Sequence, residues 1–255
     1  MKEKWNYWMS KKSFHLAVLI ILVVVILFIL GMIMLRYHVE GETNMPFILT
    51  KIAMISSSEG IEQTPMPEGA EHKWNFTLNQ NNDIYIYLDK NPNYDKEEAI
   101  QSVTVDNFQV TKTPFSGQVK WFKPDPTMQN GRYQNKAENE VQSLMYRGDT
   151  KADTQNLVIT NQGGILTFRV ANCQVGEYHA DDEEIVHDQL LAKSGITNEQ
   201  LQMKVQFDLS ILLHSGKEFK STIALDLPTQ NVIEKGTTSE EIDASDSFIF
   251  KRIKN

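Results

Sequence analysis

The chain has 255 residues, with 25 basic and 33 acidic side chains and a formal net charge of −8. That length accommodates one substantial core plus a membrane anchor, or two small domains. The acidic balance disfavours nucleic acid and anionic polymers, whose phosphates it repels, and a lone cysteine, Cys173, excludes an intrachain disulfide framework.

Residues 16–35 read LAVLIILVVVILFILGMIML, without a charge or a proline. At ~1.5 Å per residue this stretch makes a helix of about 30 Å, the hydrocarbon thickness of a bilayer. A core helix apolar on every face would need protein all around it. A cleaved secretory signal has an apolar region of about 7 to 15 residues and a small-x-small exit, whereas this run exits into RYHVE. The expectation is an uncleaved anchor over residues 14–36, with a short tail at 1–13 and a linker at 37–46. Lys2, Lys4, Lys11 and Lys12 precede the apolar run against the single acid Glu3, which predicts a cytoplasmic N-terminus and an extracytoplasmic remainder. Trp5, Tyr7 and Trp8 suit a headgroup-level aromatic belt. Beyond residue 35 the chain keeps 21 basic and 32 acidic residues, a net of −11. Gly31 and Ala17 are the only small residues of the span, so it carries no small-xxx-small pairing motif.

From Phe47 onward the hydrophobic pattern has period two, the mark of half-buried strands. Residues 47–55 form the first such run. WNFTL and DIYIYLD flank the polar NQNN, which predicts a hairpin from Trp74 to Asp89. Further strands are expected at 102–110, 118–122, 157–160 and 165–175, with Gly163-Gly164 as a hairpin turn. The clearest is LQMKVQFDLSILL, where Leu201, Met203, Val205, Phe207, Leu209, Ile211 and Leu213 share one face. His214-Ser215-Gly216-Lys217 supplies turn chemistry before alternation resumes up to Pro228. FIFKRI at 248–253 reads as an edge strand. Two polar stretches interrupt the pattern: a long insertion at 123–156, with a short helix suggested by Val141, Leu144 and Met145, and a flexible acidic loop at 229–247.

One stretch, HADDEEIVHDQLLAKSG at 179–195, concentrates histidines and acids. Asp181 and Glu184 have capping-box spacing, acids gather at the front, Lys193 stands at the back and Gly195 suits a helix end. A capped helix between strands explains every residue. The rival is a metal site built from Glu184, His187 and His179, recruiting His72 or His214. No Gly-x-Ser-x-Gly elbow occurs; the histidines outside the membrane region are His72, His179, His187 and His214, and Cys173 lies within a predicted strand. Glu240, Glu241, Asp243 and Asp246 lack the oxygen spacing of a calcium loop and read as a solvated acidic run. Tyr85 and Tyr87 alternate with Ile84, Ile86 and Leu88, so together with Trp74 they offer an aromatic face or a buried layer. Asn75-Phe76-Thr77 matches the glycosylation sequon.

These patterns predict a mainly β fold: an N-terminal single transmembrane helix, then an antiparallel β-sandwich over 47–255 with one or two short helices. The predicted function is a single-pass, membrane-anchored, extracytoplasmic binding or assembly module of the cell envelope. It meets lipid through the helix and a protein or cell-wall component through the β-domain, with no nucleic acid. The alternatives are an envelope hydrolase with a loop-built site, and an accessory or sensor subunit of a membrane complex. No catalytic, cofactor-binding or metal-ligating residue is assigned.

Overall fold

The computed structural model describes residues 12–36, 45–63, 69, 72–125, 133–148, 159–181, 184–245 and 247–253. The expected tail through residue 11, most of the linker, and Asp246 lie outside the described residues. The chain divides into two units, residues 1–39 and a unit beginning at Glu40. The first holds one helix, α1 (Lys12–Arg36), 25 residues long and bounded by a base at each end. No residue of its His15–Met32 stretch is buried, so the helix presents apolar side chains on all sides over a length sufficient to cross a bilayer.

The second unit is built from two antiparallel sheets. Its strands are β1 (Phe47–Glu62), β2 (Trp74–Lys90), β3 (Ile100–Lys112), β4 (Gln118–Phe122), β5 (Leu144–Arg147) and β6 (Ile159–Thr160). They continue with β7 (Gly163–Ala180), β8 (Lys204–Leu213), β9 (Glu218–Asp226), β10 (Thr237–Asp243) and β11 (Lys251–Ile253). Sheet A runs β10-β1-β2-β7-β4 with β6 on the end of β7, and sheet B runs β11-β9-β8-β3-β5. Alternation delivers Ile52, Met54, Ile84, Ile86 and Phe168 from sheet A and Val103, Phe207, Leu209 and Ile223 from sheet B into one buried core. Phe168 and Phe207 meet edge to face across the sheets, with ring centroids 5.2 Å apart.

Strands β1, β2 and β7 are 16, 17 and 18 residues long and outrun that core. Their far ends carry a second cluster of Phe76, Leu78 and Val175, covered by Leu190 and Leu191 of α2 (Leu190–Lys193), Leu201 of α3 (Asn198–Leu201) and Val232 of α4 (Val232–Lys235). The β8–β9 hairpin matches its prediction from Lys204 onward, pairing Leu212 with Glu218, whereas Leu201, expected on the strand face, lies in α3.

Five expectations are corrected. NQNN is no turn: β2 passes straight through it, pairing continuously with β1, and Asn79, Gln80, Asn81 and Asn82 are all buried. The 229–247 stretch holds α4 and the edge strand β10 rather than a flexible loop. Leu144 and Met145 belong to strand β5, with Leu144 buried and Met145 exposed, which is period two instead of a helical stripe. Among the described residues the helix proposed from Asp181 begins only at a 3₁₀ turn, His187–Gln189, leading into α2, and the Asp181 carboxylate is taken by the Lys73 N–H instead of by a helix. Gly195, at φ 75°, ends that helix as expected. The turn before β7 is Asn161-Gln162, and Gly163 and Gly164 already belong to the strand.

Candidate functional site

The polar stretch of β2 is the densest assembly of hydrogen-bonding side chains in the described structure, and it works on both faces of sheet A. On the outer face Asn79, Asn81 and Asp83 stand beside Glu59 of β1 and Arg169 of β7, under Tyr133 and Asn135 from the 123–156 insertion. Glu59 Oε2 accepts from Asn81 Nδ2 at 2.9 Å, Asn135 Nδ2 at 3.3 Å and Asn79 Nδ2 at 3.5 Å.

The amide orientations are fixed by their other ends. The Gln174 N–H, freed by a bulge in β7 where Gln174 takes φ 59°, donates to Asn79 Oδ1 at 2.9 Å. Asn135 Nδ2 donates to Asn81 Oδ1 at 2.8 Å, and Arg169 Nη1 donates to Asn135 Oδ1 at 3.4 Å. All three amides therefore turn N–H groups toward Glu59, an arrangement that holds an anion and repels a cation. Arg169 closes the network with a two-point bond to Asp83, Nε to Oδ1 at 2.6 Å and Nη2 to Oδ2 at 2.9 Å, its guanidinium lying 4.8 Å from the Tyr133 ring centroid. Burial works to lower the Arg169 pKa, but the Asp83 hydrogen bonds together with the charges of Asp83 and Glu59 raise it. The Tyr133 and Tyr146 hydroxyls both bond Thr167, and burial pushes both phenols upward.

Tyr85 and Tyr87 share this outer face and are half-buried. Trp74 does not join them: it has the opposite parity, lies ~36 Å along the strand, and stacks on Phe76 at 6.1 Å beside the second cluster.

The structure brings His72 and His179 together, their rings stacked at 5.9 Å. His72 Nδ1 lies 3.2 Å from Asp181 Oδ2; His179 Nδ1 lies 2.7 Å from Asn75 Oδ1, and its Nε2 lies 3.3 Å from Glu177 Oε2. His187 instead packs edge-on against Phe76 at 5.7 Å, and Glu184 is exposed. Among the described residues no three His, Cys, Asp or Glu side chains converge on a common metal position. Asp181, read above as a helix cap, takes the Lys73 N–H at 2.8 Å, which with His72 lowers its carboxyl pKa. Asn75, the second residue of β2, is buried with its amide bonded to the His72 carbonyl and to His179, so the sequon's side-chain amide is already engaged.

Cys173 is half-buried; burial pushes its thiol up, and the charged groups acting on it are Lys120, Glu59, Glu140 and Arg169, with no histidine among them. His214 lines a groove of about 360 Å³ with Lys90, Glu97, Glu98 and Gln162. Burial raises the Glu98 carboxyl, but hydrogen bonds from Lys217 and Ser215 lower it further, the reverse of what a general acid needs. Glu240 and Glu241 alternate along β10, and Asp243 folds back on Ser245, so these acids do not surround one point. Sequence reading missed the β2 network because each of its partners is remote; the only local sign is a run of amides without a glycine between two strand-like flanks. Comparison with family models, with curated proteins and with solved structures finds no match to this chain.

Proposed function

We propose that the chain is a single-pass membrane protein, N-terminus inside, that presents its two-sheet domain outside the membrane as a binding or assembly module of the cell envelope. The observation that carries this reading is α1: an apolar helix of bilayer length with no buried face, preceded by a lysine-rich stretch. Lipid takes up the helix, and the β-domain meets a protein or a cell-wall component. Its acidic surface favours a neutral or basic partner. The anion-holding amides of the outer face are already filled by Glu59, which supports a structural role for that network and leaves recognition to the exposed surface.

Two measurements on the full-length protein test the reading. In alkaline carbonate it should stay with the membrane pellet, and protease added to intact cells with a permeabilised outer layer should digest the β-domain. Release by carbonate, or protection of the β-domain until the cells are lysed, would overturn it.

A further inference from the structure

On the inner face of sheet A, three adjacent strands set one polar row across the sandwich. Ser58 pairs with Gln80, and Gln80 pairs with Asn172. These positions share the parity of Met54, Ile84 and Phe168, so their side chains aim inward. Gln80 and Asn172 are both completely buried. The neighbouring row is closed within the protein: the Ser56 hydroxyl donates to Asn82 Oδ1, and Asn82 Nδ2 donates to the Val170 carbonyl at 3.0 Å. The Ser58–Gln80–Asn172 row is not. Gln80 directs Nε2 toward Ser56 Oγ and Asn82 Oδ1, both at 3.5 Å, while its Oε1 has no partner in the protein. Ser58 Oγ and both polar atoms of Asn172 are likewise unpartnered.

Of the eight such buried atoms among the described residues, four therefore lie in this one row, and a fifth, Ser116 Oγ, belongs to the residue beside Gly117 at its end. Native interiors hold few such atoms, and a cluster of them marks an occupied position. The row's chemistry selects the occupant. Gln80 Oε1 and Asn172 Oδ1 accept, Asn172 Nδ2 donates, and the serine hydroxyls do either. A cation would meet the Asn172 N–H groups and an anion would meet two carbonyl oxygens, so the fitting ligand is neutral and both gives and takes hydrogen bonds. At the Asn172 end the packing is tight, since a Cβ on Gly117 would lie 2.1 Å from Asn172 Oδ1.

We propose that this row is an internal binding site for water, holding at least two molecules between the two apolar clusters. Three strands at ~4.8 Å spacing spread the orphan atoms over about 10 Å. One water bonding at ~2.8 Å on each side spans only about 5.6 Å. Exchange with bulk water runs through the 113–117 turn, where Gly117 is exposed and Ser116 half-buried directly above the Asn172 end.

The test is water-to-amide cross-relaxation in the full chain, reconstituted in nanodiscs with labelled Asn and Gln side chains. Cross-peaks of bound-water sign should appear at the Asn172 Nδ2 protons, and Ser58→Ala should weaken those at Gln80 without altering the fold. Asn172→Leu should abolish the set. The proposal is overturned if folded wild-type protein shows no water cross-peaks there, or if a direct Asn172 Nδ2 to Gln80 Oε1 bond is found, since a side-chain rotation would then close the row without water. Should Asn172→Leu fail to fold, the Ser58→Ala comparison decides the matter.

Discussion

The Arg169–Asp83 pair offers the sharpest test of how the outer face of sheet A is held. Its side chains retain 11% and 16% of their exposure and make a two-point bond, with Nε to Oδ1 at 2.6 Å. At a charge separation of about 4 Å and an effective dielectric near 20, their attraction is about 4 kcal/mol. Desolvating both groups costs a comparable amount, so the intact pair adds little net stability, while a single survivor is left buried and unpaired. Arg169→Met alone should then cost about 3 kcal/mol, the low end of the usual range because neither group is fully enclosed. Asp83→Leu alone should cost a similar amount, and the double variant should fall within about 1 kcal/mol of wild type, which makes the coupling energy large. For a domain of this size 3 kcal/mol shifts the melting midpoint by about 6–12 °C. Thermal melts of the full chain in detergent, followed by near-UV circular dichroism, measure all four members of the cycle. Additive single losses, or an Arg169→Met loss below about 1 kcal/mol, would refute this account of the pair.

Gly163→Ala should be among the most damaging single-methyl changes: φ is 109° and the new Cβ would lie 2.4 Å from the Leu88 carbonyl oxygen. A loss of about 2–4 kcal/mol, read from the denaturant midpoint at constant slope, is expected. Hydrogen exchange should protect the backbone amides of Asn79–Asn82 as well as those of Ile84 and Ile86, whereas rapid exchange would restore the hairpin read from sequence. The Glu98–Lys217 bond of 2.8 Å ties the segment before β3 to the β8–β9 turn. Because the folded Glu98 pKa is lowered, its contribution is complete above the ordinary carboxylate pKa of about 4.3 and is lost as pH falls through the folded value. Lys217 is raised by the Glu98 and Tyr94 hydrogen bonds, so its contribution is complete below about 10.4 and lost as pH rises past the folded value. Glu98→Gln should flatten the acid limb of a stability–pH curve, and an unchanged limb would dismiss the linkage. Asn82→Leu should cost about 2–3 kcal/mol by leaving the buried Ser56 O–H without its acceptor and removing the amide bond to the Val170 carbonyl, with Ser56→Ala recovering part of it in urea titrations.

Strand β8 was legible because one of its faces is wholly buried, so Val205, Phe207, Leu209, Ile211 and Leu213 had to alternate with polar residues. The polar run of β2 was not, for the same physical reason turned around. Amide side chains read locally as turn formers, and what pairs them here lies far off in the chain: Glu59, Asn135, Val170 and Gln174. The capping-box reading of Asp181 failed because the β2–β7 ladder, ending with Trp74 opposite Ala180, brings the 72–73 segment beside its carboxylate. Its carboxylate found a backbone N–H to satisfy, but that of Lys73 rather than of a helix. The TTSEEID run looked like a loop because its charges are those of a guarded sheet edge: β10 has β1 on one side only, and its exposed acids discourage a further strand.

Proton-transfer catalysis needs a group poised near neutrality, with a form to give and a form to take at working pH. Among the described residues, the groups whose pKa is displaced move away from that range. Burial raises the phenols of Tyr85, Tyr133 and Tyr146 and the thiol of Cys173, holding them neutral. Glu98, Asp181, Asp208 and Asp243 are lowered, and Lys120, Lys217 and Lys220 are raised, which holds them charged. Among the charged groups Glu98, Lys120, Asp208, Lys217 and Lys220 are each bonded to a partner remote in the chain, as Asp208 is to Asn107, Thr222 and Lys220, so charge at these positions fastens segments together. Asp208 illustrates the consequence, since burial alone would push its carboxyl up toward a useful acid, and the three partners reverse that. Such bonds stiffen the surface that the β-domain presents.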